Sequence, residues 1–429
     1  MYFLSSMYRG ACVALLLTVG TSSWAAEPLT LMEAQRIAVE RSQQLVAQDA
    51  LARAAGEQAV AAGQLPDPVL KLGIDNLPVT GTDRLSLTGD FMTMRRIGVM
   101  QEIPRAEKRQ LKAERFEKDA QRARAQRELM MTTVRRDTAL AWLDRYYAER
   151  TRALVQQQLE ESALQVQAAD VAFATGKGTQ ADVFAARAAL IGLQDRLNQV
   201  DRQSRSAGLM LARWVGAAAA GRLPVGTPPW QSAPLLDAVS SERLKQYPDL
   251  RVISAEIDAL ETDAQLAQAN KKSDWSVEAS YAQRGPAYSN MLSIGVSIPL
   301  QWDARNRQDR ELAAKLALVD EAKARYEDAL RSREAEIRNL LDDWQTGMAR
   351  LARYRNELIP LAGQRAEAAL TSYRVGKSDL ATALAARRDG IDVRTQALSL
   401  ELETARAWAQ LHFLVSDDRS TRATSRNTP

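Results

Sequence analysis

The chain contains an internal repeat, which limits the possible folds more than any other feature of the sequence. Residues 171–190 align without a gap on residues 371–390, with six identities in twenty positions. The identities are a Gly-Lys step, one Arg and three Ala: Gly176/Gly376, Lys177/Lys377, Arg187/Arg387, Ala181/Ala381, Ala185/Ala385 and Ala186/Ala386. A second match pairs residues 97–99 with residues 294–296, both Ile-Gly-Val. The repeat predicts one structural unit used twice.

Each unit is predicted to begin with a helix and two strands. Apolar residues at helical spacing open the two units over residues 30–64 and 248–271. Four short segments then alternate apolar and polar side chains, as strands with one apolar face do. They are residues 70–75 and 97–103 in the first unit, and residues 275–282 and 292–300 in the second.

A long helix and a return helix complete each unit. Residues 105–175 contain neither Gly nor Pro, which predicts a helix of about 100 Å. The counterpart, residues 303–375, is interrupted by Gly347, Pro360 and Gly363, so a kink is expected near Pro360. Each long helix ends at a Gly-Lys turn, and an Ala-rich helix with coiled-coil spacing follows.

The remaining segments give the domain organisation. Residues 1–25 are predicted to be a cleaved signal peptide, because Arg9 precedes an apolar run and small residues surround Ala25. The rest divides into a first repeat, a linker packed outside the helices, a second repeat and a disordered tail: residues 26–215, 216–247, 248–415 and 416–429. No later stretch approaches about 18 apolar residues, so no transmembrane helix is predicted.

The composition excludes several classes of function. One Cys and one His cannot build a Cys/His metal cage, and neither a metal site nor a cofactor is predicted. His412 lies between Leu411 and Phe413 and is interpreted as a structural histidine. The net charge is +4 with interspersed signs, so nucleic acid is not a predicted partner. A secreted enzyme would need a nucleophile or metal cluster that the sequence does not show.

The strands predict a shared membrane barrel. Four short strands cannot close a barrel, and lipid does not tolerate open sheet edges. Three copies giving four strands each would make twelve, an even number as outer-membrane barrels require. The predicted fold class is therefore mainly α, with long coiled-coil hairpins in an α-helical barrel and four strands per chain in a trimeric twelve-stranded β-barrel. Trp275, Tyr281 and Trp302 lie near strand ends and are predicted to form an aromatic girdle; packing against helices is the alternative.

This order of elements, used twice over residues 30–415, resembles the TolC family of outer-membrane efflux ducts. The Tyr-x-x-Gly turn at residues 373–376, followed by an Ala-rich helix, is a second similarity. The resemblance implies a homotrimer in the outer membrane of a Gram-negative cell, with a large periplasmic tube and no catalytic activity. It also implies two partners, a periplasmic adaptor at the tip of the tube and an inner-membrane RND pump.

The resemblance places the tip at the two Gly-Lys turns. The predicted adaptor contacts are Gly176, Lys177, Tyr373, Gly376 and Lys377. A plain helix C-cap is the other role of these glycines, since Gly relieves the left-handed conformation there.

The gating residues of the family are only partly matched. Family members often carry an Arg four residues before the first tip Gly, where this chain has Ala172. They often carry acidic residues six and nine positions past the second Gly, where this chain has Thr382 and Ala385. Asp182, Asp379 and Thr382 are therefore the candidates for a pore constriction, and Asp379 has the alternative role of starting a helix.

Two segments resemble the heavy-metal-efflux branch of the family. They are Leu-Pro-Asp-Pro at residues 65–68 and the strand sequence at residues 96–104. Heavy-metal cations are accordingly the expected cargo, and drug or organic-solvent export is the alternative. A periplasmic coiled-coil adaptor or scaffold is a further alternative, but adaptors have one hairpin and several β-rich domains.

Overall fold

The structure is a computed structural model, and it describes residues 27–227, 229–231 and 244–414. The predicted signal peptide and the predicted disordered tail lie outside these described residues. The first repeat contains α1 (Leu31–Arg41), α2 (Gln43–Gly63), β1 (Val69–Asp75), β2 (Met94–Ile103), α3 (Ala106–Ala174) and α4 (Gln180–Val215), followed by α5 (Ala217–Ala220). The second contains α6 (Pro248–Ala269), β3 (Trp275–Gln283), β4 (Met291–Ser297), α7 (Gln308–Arg353), a π-helix (Tyr354–Leu358), α8 (Ile359–Arg374) and α9 (Leu380–His412). The predicted combination of long helices with four strands is confirmed.

The opening helix of the first repeat is divided in two. The Oγ1 of Thr30 accepts a hydrogen bond from the backbone of Glu33 and begins α1. The Oγ of Ser42 accepts one from the backbone of Leu45 and begins α2. A single helix over residues 30–64 was expected, but a Ser that satisfies free backbone N–H groups starts a new helix at this point.

The long helix α3 runs for 69 residues without a break, about 100 Å at the rise of an α-helix. Its counterpart is interrupted by the five-residue π-helix, which ends two residues before Pro360. Pro360 has no N–H to donate to the carbonyl four residues earlier, and its ring crowds that turn. The interruption expected near Pro360 is present at this position.

The main hydrophobic core lies where the two repeats and the linker meet. Trp142 and Tyr147 of α3 are buried there with Trp230 and Tyr247. Trp230, Leu244 and Tyr247 belong to the linker, so this part of the linker packs directly onto the helices. Burial of these large aromatic side chains removes apolar surface from water, which favours packing of this part of the linker onto the helices.

The strands form one antiparallel sheet in the order β1-β2-β3-β4. The central pairing joins β2 of the first repeat to β3 of the second, with Ile97 opposite Tyr281. The buried Nζ of Lys108 donates to two residues in the segment just before β3, to Asp274 Oδ2 at 2.9 Å and to the carbonyl of Lys272 at 2.5 Å. These bonds attach the start of α3 to the segment leading into β3, so sheet and helices form one continuous structure.

Candidate functional site

The two Gly-Lys turns have the same backbone geometry. Gly176 and Gly376 have φ values of +72° and +74°, a left-handed conformation that costs an L-residue about 1–2 kcal/mol. Lys177 N donates to Ala172 O at 2.9 Å, and Lys377 N donates to Ser372 O at 2.8 Å. Both lysine side chains are exposed. The C-cap role of these glycines is therefore confirmed.

The helices that follow the turns begin with the same two residue types in exchanged positions. In α4, Thr179 is the N-cap, and it forms reciprocal hydrogen bonds with Asp182 three residues later. In α9, Asp379 is the N-cap, and its Oδ1 accepts from the backbone N–H of Thr382 at 2.8 Å. Both candidate constriction carboxylates therefore start helices, including Asp379, for which this was the alternative role.

These hydrogen bonds also set the electrostatics of the turns. The pKa of Asp182 is lowered, chiefly by the side-chain hydrogen bond from Thr179 and also by backbone bonds from Thr179 and Leu380. The pKa of Asp379 is lowered by hydrogen bonds from Thr382. Partial burial raises the pKa of Tyr373, and the charge of Asp182 adds to this. Both carboxylates are thus ionised at neutral pH.

The fold brings the two turns together at one end of the molecule. Ala169, Val183 and Ala186 of the first hairpin form a small apolar cluster with Leu380, and Tyr373 packs against it. The predicted tip residues therefore share one surface. The constriction itself, which would require several copies of the chain, stays a prediction.

The matched arginines of the repeat have different partners. Arg187 forms an ion pair with Asp170 at 3.1 Å within the first hairpin. Arg387 pairs with Glu161 of α3 and so links the second hairpin to the first. The repeat in the sequence indicates that the two arginines are equivalent. It does not indicate that their partners differ, because the same residue type occupies both positions.

The sheet has one mainly apolar and one mainly polar face, and Arg95 and Gln101 of β2 are polar residues on the mainly apolar face. Opposed residues on the apolar face include the pairs Leu72/Ile97, Ile97/Tyr281 and Tyr281/Leu292. The larger exposed members of this face are Leu70, Leu72, Ile74, Ile97, Val99, Trp275, Tyr281, Leu292, Ile294 and Val296. A contiguous exposed apolar surface of this kind marks an interaction site.

The predicted girdle aromatics lie on or beside this apolar face. Trp275 is the first residue of β3 and Tyr281 is six positions later on the same face, which separates them by about 20 Å. Trp302 follows β4 and is 88% exposed. Among the residues that the structure describes, Trp302 does not pack against the helices, which was the alternative.

The polar face carries five charged side chains along its strands: Lys71, Asp75, Arg96, Glu102 and Glu278. Lys71 Nζ donates to Glu278 Oε2 at 2.6 Å, and the Arg96 guanidinium pairs with Asp75 at 3.1 Å. The sequence did not indicate the first pair, because 207 positions separate its members.

The described residues contain no cluster of three or more His, Cys, Asp or Glu side chains able to hold a metal ion. The ring of His412 stacks on Trp408 with centroids 4.8 Å apart, which agrees with its interpretation as a structural histidine. In the part of the chain that the structure describes, no helix is long and apolar enough to cross a membrane.

Solved outer-membrane channels share this fold. CusC, studied for its folding and transmembrane channel formation, matches with a TM-score of 0.76 and 15% identity, covering 90% of this chain and 92% of CusC. The CmeC outer-membrane channel of Campylobacter jejuni matches with a TM-score of 0.72 and 14% identity, covering 92% of this chain and 88% of CmeC. The open state of the Neisseria gonorrhoeae MtrE channel matches with a TM-score of 0.71 and 17% identity, covering 90% and 88%.

No family model matches the chain, and no curated protein matches it in sequence. The similarity to solved structures therefore defines a fold only. It is the fold of outer-membrane channels that are built from long helices and a few strands per chain. The three neighbours are channels, not enzymes.

Proposed function

We propose that the chain is the outer-membrane component of a tripartite efflux system and works as a passive duct. Three copies share one twelve-stranded barrel in the outer membrane, and their helices form a tube across the periplasm. A periplasmic adaptor docks at the Gly-Lys turns, and an inner-membrane pump supplies the energy. The duct itself catalyses no reaction.

The four-stranded sheet is the observation that carries this proposal. One of its faces is apolar and exposed, and β1 and β4 form its two edges. Lipid requires every backbone polar group to have a partner, so these edges need strands from other copies. Pairing β4 of one copy with β1 of the next satisfies both edges and places the apolar face toward lipid.

The number of copies tests the assembly. Mass measurement of the purified protein in mild detergent is expected to give three chains. The same preparation is expected to form conducting channels in planar lipid bilayers. A monomer that still inserts and conducts would contradict the shared barrel.

The turn lysines test the docking surface. Simultaneous Lys177→Glu and Lys377→Glu is expected to weaken binding of the adaptor while trimer formation is unchanged, because both lysines are exposed and lie on the shared tip surface. Lys245→Glu, at an exposed lysine outside the tip, serves as the matched control. Unchanged adaptor binding by the double variant would exclude this role.

The cargo is proposed to be heavy-metal cations such as copper, silver, zinc or cobalt. The support is the resemblance of residues 65–68 and 96–104 to the metal-efflux branch. A duct should hold its cargo weakly, since tight binding would block flow. Deletion of the gene is expected to sensitise cells to a metal salt. Sensitivity to dyes or antibiotics, with metal tolerance unchanged, would favour drug or solvent export instead.

A further inference from the structure

The Ile-Gly-Val segments matched between the repeats occupy equivalent positions in the two hairpins of the sheet. Gly98 of β2 lies opposite Lys71 of β1. Gly295 of β4 lies opposite Glu278 of β3. Each glycine therefore faces one charged residue on the polar side of the sheet, and the two charges have opposite signs.

Gly98 allows these charges to meet. Lys71 and Glu278 lie two strands apart, a separation of about 10 Å, and β2 runs between them. Gly98, directly opposite Lys71, has no side chain on this face. A Cβ added there would lie 2.7 Å from the Ser280 Cβ, so the pairing with β3 also favours glycine at this position. The lysine therefore extends across β2 and reaches Glu278 Oε2 at 2.6 Å.

From this arrangement, and resting on the proposed trimeric duct, we propose that Lys71 and Glu278 form a charge-balanced belt that sets the ion selectivity of the barrel lumen. Around the barrel, Lys71 and Glu278 alternate on every second strand, and Gly98 and Gly295 occupy the strands between them. Rings of charged side chains govern which ions pass a pore. A ring in which positive and negative charges alternate favours neither cations nor anions, so the pore stays weakly selective as long as both members of the pair are present.

The other charges on the polar face are consistent with a nearly neutral wall. Arg96 and Asp75 form a second pair across β1 and β2 at 3.1 Å. Glu102 lies near the opposite end of β2 and carries the fifth charge of this face. The wild-type wall therefore has a weak preference for cations, and loss of one member of the Lys71–Glu278 pair changes that preference strongly.

Reversal potentials in planar bilayers under a potassium chloride gradient test the belt. Lys71→Gln is expected to shift the reversal potential toward cation selectivity, because it leaves a ring of Glu278 carboxylates. Glu278→Gln is expected to shift it toward anion selectivity. The double variant Lys71→Gln/Glu278→Gln is expected to return close to the wild-type value, which makes it the matched control.

A thiol variant adds a test in which the charge is changed only after the channels have assembled. The only Cys of the chain is Cys12, inside the predicted signal peptide, so Lys71→Cys gives the mature chain a unique thiol. Modification of assembled channels with a cationic methanethiosulfonate is expected to restore wild-type selectivity, and an anionic reagent to increase cation selectivity.

The proposed belt would be overturned if both single variants conduct with the wild-type reversal potential. It would also be overturned if neither reagent changes the selectivity of the Lys71→Cys channels. A wild-type protein that forms no channel at all would instead refute the proposed duct.

Discussion

Trp142 and Trp344 form the same hydrogen bond in the two repeats. The indole Nε1 of Trp142 donates to the carbonyl of Leu29 at 2.9 Å, and that of Trp344 donates to the carbonyl of Trp230 at 2.9 Å. Both indoles are buried in the main core. The two tryptophan donors are about 200 positions apart in the sequence, and so are the two acceptors. The two Gly-Lys turns have nearly the same separation. The repeat therefore extends to the polar contacts inside the core.

Trp344→Phe tests this hydrogen bond. The substitution leaves the buried carbonyl of Trp230 without its indole donor, which is expected to lower the free energy of unfolding by about 1–2 kcal/mol. Thermal unfolding in detergent, followed by circular dichroism, would show a lower midpoint. Trp214→Phe is the control, because the partly buried Trp214 makes no indole hydrogen bond within the described residues. Equal losses in the two variants would assign the effect to ring size.

Glu401 of α9 joins the two repeats through two arginines. It is buried, and its carboxylate pairs with Arg150 of α3 at 2.8 Å and with Arg355 of the π-helix at 2.7 Å. Glu401→Gln removes the charge that both guanidinium groups face. Because both arginines are nearly half exposed, solvent reduces the expected loss to about 1–2 kcal/mol.

The exposed Glu403, two positions away, provides the control for this prediction. Glu403→Gln is expected to change stability by less than about 0.5 kcal/mol, as is usual for surface substitutions. The same unfolding measurement compares the two variants. A Glu401→Gln protein as stable as Glu403→Gln would show that the buried ion pairs contribute no net stability.

Gly347 marks a close approach between α7 and α9. A Cβ at this position would lie 2.3 Å from Thr404 Oγ1 and 3.1 Å from Thr404 Cγ2. Gly347→Ala is therefore expected to destabilise the chain by about 1–3 kcal/mol through overpacking, although Ala favours the helix by about 1 kcal/mol. Melting midpoints in detergent would show the loss.

Two further variants separate packing from helix propensity. A Cβ at Gly363, in α8, would meet no atom of another part of the described structure within 4 Å, so Gly363→Ala is expected to stabilise the helix. Adding Thr404→Ala to Gly347→Ala removes the colliding Oγ1 and Cγ2 and is expected to recover part of the loss. Stabilisation by Gly347→Ala alone would show that the helices can separate at this point.

Local patterns allowed much of the fold to be predicted. Residues 105–175 lack Gly and Pro, so the extent of α3 was readable from the sequence, and alternation around Leu70 and Ile294 indicated strands. The division at Ser42 was missed, because a Ser inside a helical pattern does not by itself show that it caps a new helix. Burial of Trp230 was missed because a Pro-rich and Gly-rich segment gives no periodicity to interpret.

Only those features of the candidate site that depend on residues close together in the sequence could be predicted. Gly176 and Gly376 were recognised, because a left-handed C-cap needs glycine. The capping pattern of Thr179 and Asp182 was also readable from their spacing, but it was missed. The contact between Lys71 and Glu278 was not readable, since it depends on the β2–β3 pairing of two distant segments.

The two helix starts at the tip are predicted to respond to acid. The pKa of Asp379 is lowered by its hydrogen bonds from Thr382. A lowered folded-state pKa contributes stability that is fully present above the unfolded value of about 4 and is lost as pH falls through the folded value. The start of α9 is therefore expected to loosen on acidification below about pH 4, and Asp182 gives the start of α4 the same direction of change.

Asp379→Asn separates charge from capping. Asn is an equally good N-cap but does not titrate in this range, so the start of α9 should keep its protection on acidification. Hydrogen–deuterium exchange of a peptide spanning residues 375–385, corrected for the intrinsic pH dependence of exchange, measures the difference between about pH 5 and pH 3. Glu367→Gln, at an exposed carboxylate of α8, is the control and should respond as the wild type does. If Asp379→Asn loosens on acidification as much as the wild type, another group controls the pH response of this turn.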